Sequence, residues 1–188
     1  MTRTLVKRLL LGAALIWAIA ACAGRSPALL ATDELNAGLA ASNKGDTAQA
    51  TTHYKACVKL DPSNQFCIFN LGVIAQTAGR TSEAENDYRL ALLLDPQFPS
   101  PMFNLAVIRA NAGSTQEAIG LYHQFIQLRP DVASAHLNLS QLLSQTGDTV
   151  GAARELAAAI RLDPTLARPA APSAPANPTP AASPAASP

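Results

Sequence analysis

Residues 65–98 run QFCIFNLGVIAQTAGRTSEAENDYRLALLLDPQF, and residues 99–132 run PSPMFNLAVIRANAGSTQEAIGLYHQFIQLRPDV. Set one beneath the other, the two segments repeat their key residues at an interval of 34, and the register continues in both directions. Pro62, Pro96, Pro130 and Pro164 form one column, and Gly45, Gly79, Gly113 and Gly147 another. Ala50, Ala84, Ala118 and Ala152 make a third, Leu60, Leu94, Leu128 and Leu162 a fourth, and Asn36, Asn70, Asn104 and Asn138 a fifth. A fixed period of this length marks an array of small supersecondary units that bury their apolar faces by stacking.

Each column has a physical task. The glycines supply positive φ just past a helix and so end the first helix of each unit. The alanines let the second helix approach the first closely. The leucines pack, and the prolines stop the second helix while tolerating the start of the next unit. The spacing predicts helix pairs at 33–43 with 46–59, 66–77 with 81–93, 101–111 with 115–127, and 133–145 with 149–162. Alanine and leucine dominate the apolar residues, which are 48% of the 188, and aromatics are only 5%. That composition suits close-packed helices.

The pattern resembles the tetratricopeptide repeat, whose signature has Gly or Ala at position 8, Ala at 20, an aromatic at 24 and Pro at 32. The repeats are 31–64, 65–98, 99–132 and 133–166. Position 24 then holds Tyr54, Tyr88, Tyr122 and Leu156, and position 8 holds Gly38, Gly72, Ala106 and Ser140. The resemblance implies an all-α fold, a right-handed α-solenoid of four helix–turn–helix repeats, whose work is protein binding. The fourth repeat departs most, through Ser140, Leu156 and Gly151, the last costing roughly 1 kcal/mol inside a helix. No polar capping helix is expected after residue 162, which leaves the face of Leu156 and Ile160 open to another chain, a second copy (a homodimer) included.

The segments outside the array carry the cellular reading. Arg3, Lys7 and Arg8 precede an apolar stretch from Leu9 to Ala21, too short for a comfortable membrane span of about 20 residues. Ile19-Ala20-Ala21-Cys22 resembles the lipobox of bacterial lipoproteins, which implies a signal peptide at 1–21 and lipidation of Cys22 after cleavage. Residues 22–32 are then a tether, and 167–188 a Pro/Ala-rich tail expected to lack a core. Loss of the three basic residues leaves 11 Lys and Arg against 13 Asp and Glu. This near-neutral balance, without a basic run, argues against nucleic acid as partner. Residue 23 is alanine rather than an inner-membrane retention aspartate, which points to the outer membrane facing the periplasm.

No constellation for catalysis is found. His53, His123 and His136 fall at repeat positions 23, 25 and 4 and share no metal-ligand spacing. Asp61, Asp95 and Asp163 recur because the repeat recurs. No enzyme, metal site or cofactor is expected. Cys57 and Cys67 flank the Asp61–Asn64 turn between antiparallel helices; in an oxidising compartment they suit a disulfide, with two buried free thiols as the alternative.

Binding is expected on the inner face of the first helices. At 100° per residue, positions 2, 6, 9 and 13 point away from the partner helix, with position 5 on the flank. The candidate groove residues are Asn36, Asn70, Asn104 and Asn138, with Phe66, Phe69, Val73, Phe103 and Val107. An amide column offers donors and acceptors to the backbone of an extended peptide; frequent use of asparagine at this repeat position is the alternative. Arrays that clamp a carboxylate tail carry cations at positions 2, 5 and 6, whereas Phe69, Ser100, Asn104, Ser134 and Asn138 stand here. The groove is therefore expected to take an apolar or amide-rich protein segment. Lipobox and short array together resemble outer-membrane lipoproteins of the pilus-assembly and pilotin type, which implies an adaptor for a pilus or secretion apparatus. Alternatives are an adaptor for peptidoglycan hydrolases or envelope proteases, and an accessory subunit of an envelope enzyme.

Overall fold

The computed structural model describes residues 26–167, and every regular element among them is helical. The expected signal peptide, Cys22 and the Pro/Ala-rich tail beyond Ala167 lie outside the described residues. Two compact units divide at Arg129 and Pro130. The first holds α1 (Pro27–Asn43), α2 (Thr47–Leu60), α3 (Gln65–Thr77), α4 (Thr81–Leu94), α5 (Pro99–Asn111) and α6 (Thr115–Leu128). The second holds α7 (Ala133–Gln145), α8 (Thr149–Leu162) and a 3-10 turn, Pro164–Ala167, that packs on α8.

Seven helices keep to the sequence-based bounds within two residues, and α1 does not. It begins at Pro27, inside the stretch read as tether 22–32, because Ser26 and Pro27 form a local start signal. The Ser26 hydroxyl accepts the Leu29 N–H at 3.4 Å and Pro27 occupies the first helical position, where a missing N–H costs nothing. The helix thus takes in residues 27–32 of that stretch.

The turn inside each pair is the same four times. Gly45, Gly79, Gly113 and Gly147 have φ of 77°, 74°, 77° and 87°. The N–H of the next residue returns to the carbonyl four residues before the glycine: Asp46 to Ala41, Arg80 to Ala75, Ser114 to Arg109, Asp148 to Leu143, at 2.9–3.0 Å. This is a Schellman closure, which needs a left-handed residue that glycine adopts without penalty. After the second helix, Asp61, Asp95 and Asp163 each accept the N–H two residues on at 3.0 Å, shaping the exit turn. Arg129 takes this place in the third repeat.

Within a pair, the aromatic at position 24 lies against the small residue at position 8. Tyr54, Tyr88 and Tyr122 are at most 1% exposed. A Cβ on Gly38 would stand 2.5 Å from Tyr54 Cε1, and one on Gly72 would stand 2.8 Å from Tyr88 Cε1. The ring hydroxyls reach the residue at position 12: Tyr54 with Ser42 at 3.0 Å, and Tyr88 donating to Gln76 Oε1 at 2.6 Å. In the second unit Leu156 replaces the tyrosine and is 39% exposed, while Ser140 donates to the Ala152 carbonyl at 2.9 Å. The serine thus ties α7 to α8 by a hydrogen bond where the other pairs use a ring. Gly151 sits in the first turn of α8, where its N–H meets the Asp148 cap at 2.8 Å; a Cβ there would crowd that carboxylate.

Cys57 and Cys67 are joined as a disulfide between α2 and α3, with Cα atoms 6.3 Å apart and both residues fully buried. They occupy repeat positions 27 and 3, which in the next register are Ala91 and Pro101, also buried. The bridge therefore stands in a seam between repeats that is otherwise apolar.

Two glycine substitutions separate packing from propensity. Gly72→Ala should lose about 1–3 kcal/mol, since its methyl meets the Tyr88 ring and the Asp87 Cβ. Gly120→Ala, on α6 with nothing within 4 Å, should gain up to about 1 kcal/mol. Urea unfolding of the two variants reads both signs.

Candidate functional site

The inner face of the first unit is built by α1, α3 and α5. On α3 it presents Phe66, Asn70 and Val73, and on α5 Phe103, Asn104 and Val107. Phe66 is 47% exposed and the most open aromatic of the set. Its ring lies edge-on to Phe98 at 5.1 Å; Phe98 in turn meets Phe69 at 5.2 Å, and Phe69 meets Tyr88 at 5.8 Å. A continuous aromatic run thus leads from the solvent-facing Phe66 to the buried core. Offset and edge-to-face rings at such distances are favourable beyond their area.

Phe69 and Phe103 are less open than a groove reading expects. Phe103 packs on Tyr122 at 5.6 Å and Phe125 at 5.2 Å. Val73 packs with Phe69 against the Ala75, Ala84 and Tyr88 cluster. These residues form the floor, and Phe66 stands above it. Phe98 falls outside the expected set because it lies at repeat position 34, in the exit turn between Pro96 and Pro99, where a helix-face periodicity does not reach.

The asparagines separate into different roles. Asn104 Nδ2 donates to the Tyr88 hydroxyl at 3.2 Å, and that hydroxyl donates to Gln76. A relay of side chains therefore binds α5 to α4 and α4 to α3. Burial pushes the Tyr88 hydroxyl above its ordinary pKa, the Asn104 hydrogen bond opposes this, and the Asp87 charge adds to it. Asn70 Nδ2 turns back to the Phe66 carbonyl of its own helix at 2.7 Å. Asn36 on α1 is exposed, and Asn138 belongs to the second unit, half-buried on α7. Among the described residues, Asn70 and Asn104 thus spend an amide hydrogen on the protein itself, one within its helix and one across to Tyr88. Near the end of α5, a cleft of about 410 Å³ is lined by Gln76, Thr81, Ile108, Asn111 and Ala112. The Gln76 amide oxygen there accepts from Tyr88, and Asn111 is exposed.

The charged groups are largely matched internally. Arg109 reaches Glu117 at 2.7 Å, Glu85 at 3.2 Å and the Ser114 hydroxyl at 2.6 Å. Arg89 reaches Glu85 at 3.0 Å and Glu117 at 2.6 Å. Two arginines and two glutamates thereby close a ring across α4, α5 and α6. The Arg89 hydrogen bond, against desolvation and with help from Arg109, holds the Glu117 carboxyl below the usual carboxylate range.

His53 and His136 pair with glutamates across their own helix pairs, between repeat positions 4 and 23. Glu34 meets His53 Nδ1 at 2.7 Å, and in the second unit His136 Nδ1 meets Glu155 at 2.8 Å with the residue types exchanged. His136 Nε2 also faces the Pro130 carbonyl at 3.1 Å. Burial alone would raise the Glu155 carboxyl, but the His136 and Arg154 hydrogen bonds and charges together bring it below its ordinary value. In the second repeat the same two positions hold Ile68 and Asp87. Across from Asp87 stands the apolar Ile68, where the fourth repeat sets His136 across from Glu155. Burial, then the Glu83 charge, raise its carboxyl from 3.8 to about 6.

A family model described as tetratricopeptide repeat matches residues 69–124 and 103–167, and a second of the same description matches 35–64. Comparison with curated proteins finds no match. Among solved structures, MamA is similar with a TM-score of 0.63 and 23% identity, over 72% of this chain and 74% of its own. PilF of Pseudomonas aeruginosa is similar with a TM-score of 0.65 and 22% identity, over 76% and 67%. The first repeat domain of Spaghetti (RPAP3), solved with the HSP90 peptide SRMEEVD, gives 0.58 and 19%, over 64% and 98%. These likenesses concern the fold, an all-α array of paired helices. Neither family model describes a catalytic domain.

Three substitutions test the roles assigned to the polar groups. Asn104→Ala should cost about 1 kcal/mol through the lost bond to buried Tyr88, whereas Asn70→Ala should change stability little; denaturant titration compares them. Because folded Asp87 holds its proton up to about 6 and the unfolded chain releases it near 3.8, its contribution to stability falls as pH rises through that window. Asp87→Asn should therefore be more stable than the parent at pH 7–8. The gain, about 1 kcal/mol after solvent screening, should vanish below about pH 4, as paired melts across pH would show.

Proposed function

Since the chain belongs to the tetratricopeptide repeat family, whose repeats mediate protein–protein interaction, we propose that it is a lipid-anchored adaptor of the bacterial envelope. Cys22 carries the lipid, and the array faces the periplasm from the outer membrane. Its first unit holds an apolar or amide-rich segment of a protein partner, and the partner belongs to a pilus or secretion apparatus. The observation that carries the binding reading is Phe66, half in solvent above the Phe98–Phe69 run and beside amides. Exposed aromatics backed by packed rings are frequent anchors at interfaces, because they bury much area with little rotamer loss.

Charge chemistry supports the same class of partner. The HSP90 peptide held by the Spaghetti domain ends in Glu-Glu-Val-Asp, and an acidic tail calls for cations on the inner face. Positions 2, 5 and 6 of this array carry none, and Arg89 and Arg109 on neighbouring faces are engaged by Glu85 and Glu117. The lipobox at Ile19–Cys22, together with the fold match to PilF, supports the envelope machine over a free adaptor.

A photocrosslinking residue placed at 66 in cells, with one at the exposed Leu93 as control, should yield a position-specific adduct whose mass spectrum names the partner. Adducts equal at both positions would reject the groove. In the same cells Cys22→Ser should move the protein from the membrane fraction to the soluble one; retention in the membrane would reject the anchor.

A further inference from the structure

The first helix differs from its counterparts at one end only. In repeats two to four the corresponding helices begin at the first repeat position, Gln65, Pro99 and Ala133. In repeat one, α1 begins at Pro27, one turn before Ala31. This added turn carries Leu29, 59% exposed, and Leu30, 37% exposed, beside each other in front of the array. Repeat packing does not account for them, since they precede the repeat. The buried Ala31 and the half-buried Leu35 are where α1 enters the core of its unit. The residues that follow, Thr32 and Asp33, are polar and exposed, and the next exposed leucine of α1 is Leu39.

Leu29 and Leu30 also stand only seven and eight residues after the cysteine assigned to the lipid. Only Ala23, Gly24, Arg25 and Ser26 separate Cys22 from Pro27, so full extension places the helix start within about 18 Å of the anchored cysteine. An acylated cysteine sits at the boundary between headgroups and acyl chains, so apolar side chains within that reach of it meet the same boundary. Arg25 brings a cation to a surface that carries anionic headgroups.

We propose that the added turn of α1 is a membrane-seating element: Leu29 and Leu30 insert at the headgroup boundary beside the Cys22 lipid. This rests on lipidation of Cys22. The occupant of the exposed leucines is the lipid surface, and the array is held against the membrane by its first helix instead of hanging from a long tether. The second contact restricts the orientation of the first unit relative to the bilayer.

The mature protein offers a clean background, because the single tryptophan of the full sequence, Trp17, precedes Cys22 and leaves with the signal peptide. Leu30→Trp, Leu29→Trp and Leu93→Trp variants, the last at a residue 78% exposed on α4, are purified from membranes as the lipidated protein. Each is reconstituted in phosphatidylethanolamine–phosphatidylglycerol vesicles with or without dibrominated acyl chains. The two α1 variants should show blue-shifted emission quenched several-fold by the brominated lipid, and the α4 variant neither. With diacylglyceryl mass found on Cys22, emission of the α1 variants as unquenched as that of the α4 variant overturns the seat and leaves the anchor standing. A Cys22 without added lipid mass overturns the anchor and the seat with it. Unchanged helicity of all three variants confirms that the reporters sit on the native fold.

Discussion

A tyrosine ring laid over a residue with little or no side chain sets the distance between the two helices of a repeat. Gly38 under Tyr54 and Gly72 under Tyr88 leave no room for a methyl, and the ring hydroxyls then hold Ser42 and Gln76 at the far end of the first helix. Buried alanines such as Ala50 and Ala84 complete the close approach. Everything that follows depends on that spacing, including the inner face, because only a tightly closed pair offers a flat, regular seam to the next one. Where the tyrosine is absent, in α7 and α8, Ser140 restores the cross-link by bonding the Ala152 carbonyl. A polar bond can substitute for a ring because both satisfy the same requirement, two backbones held close without a void.

On this shared frame each repeat meets position 4 and position 23 in its own way. Glu34 with His53 and His136 with Glu155 solve it as charge-assisted pairs of opposite order, Met102 and Leu121 with two apolar residues, and Ile68 with Asp87 as a mismatch. The mismatch leaves a carboxyl whose desolvation is not offset by a base, and its pKa rises accordingly. The closed ring of Glu85, Arg89, Arg109 and Glu117 is the opposite case, since every charge there has two partners. Such partly exposed pairs add modestly to stability; the inner face is neutral because repeat positions 2, 5 and 6 carry no charged residue.

That neutrality gives the face its character. Aromatic contacts reach outward from the core through Phe69 and Phe98 to Phe66, so the exposed ring is backed by rigid neighbours and loses little freedom when a partner covers it. The amides divide between holding repeats together, as Asn104 does, and standing near the binding surface, as Asn111 does in its cleft. A surface of this kind reads apolar bulk and backbone polarity better than it reads charge.

The period, the helix pairing and the turn at each of the four glycines are legible in the amino-acid order alone, because these follow from local rules repeated at a fixed interval. The start of α1 is written there too, in Ser26 and Pro27, a signal easily passed over because it stands outside the repeat register. Packing settles what each inner-face residue is used for. Asn70 and Asn104 occupy equivalent positions, yet one bonds its own helix and the other a neighbour's tyrosine. Phe98 joins the aromatic run from a turn that no helical periodicity describes. Asp87 is perturbed by burial and Glu83 with no base across from it, where His53 at the same repeat position has Glu34. A period states which positions are equivalent; the side chain across the interface, known only once the helices are packed, decides what each of them does.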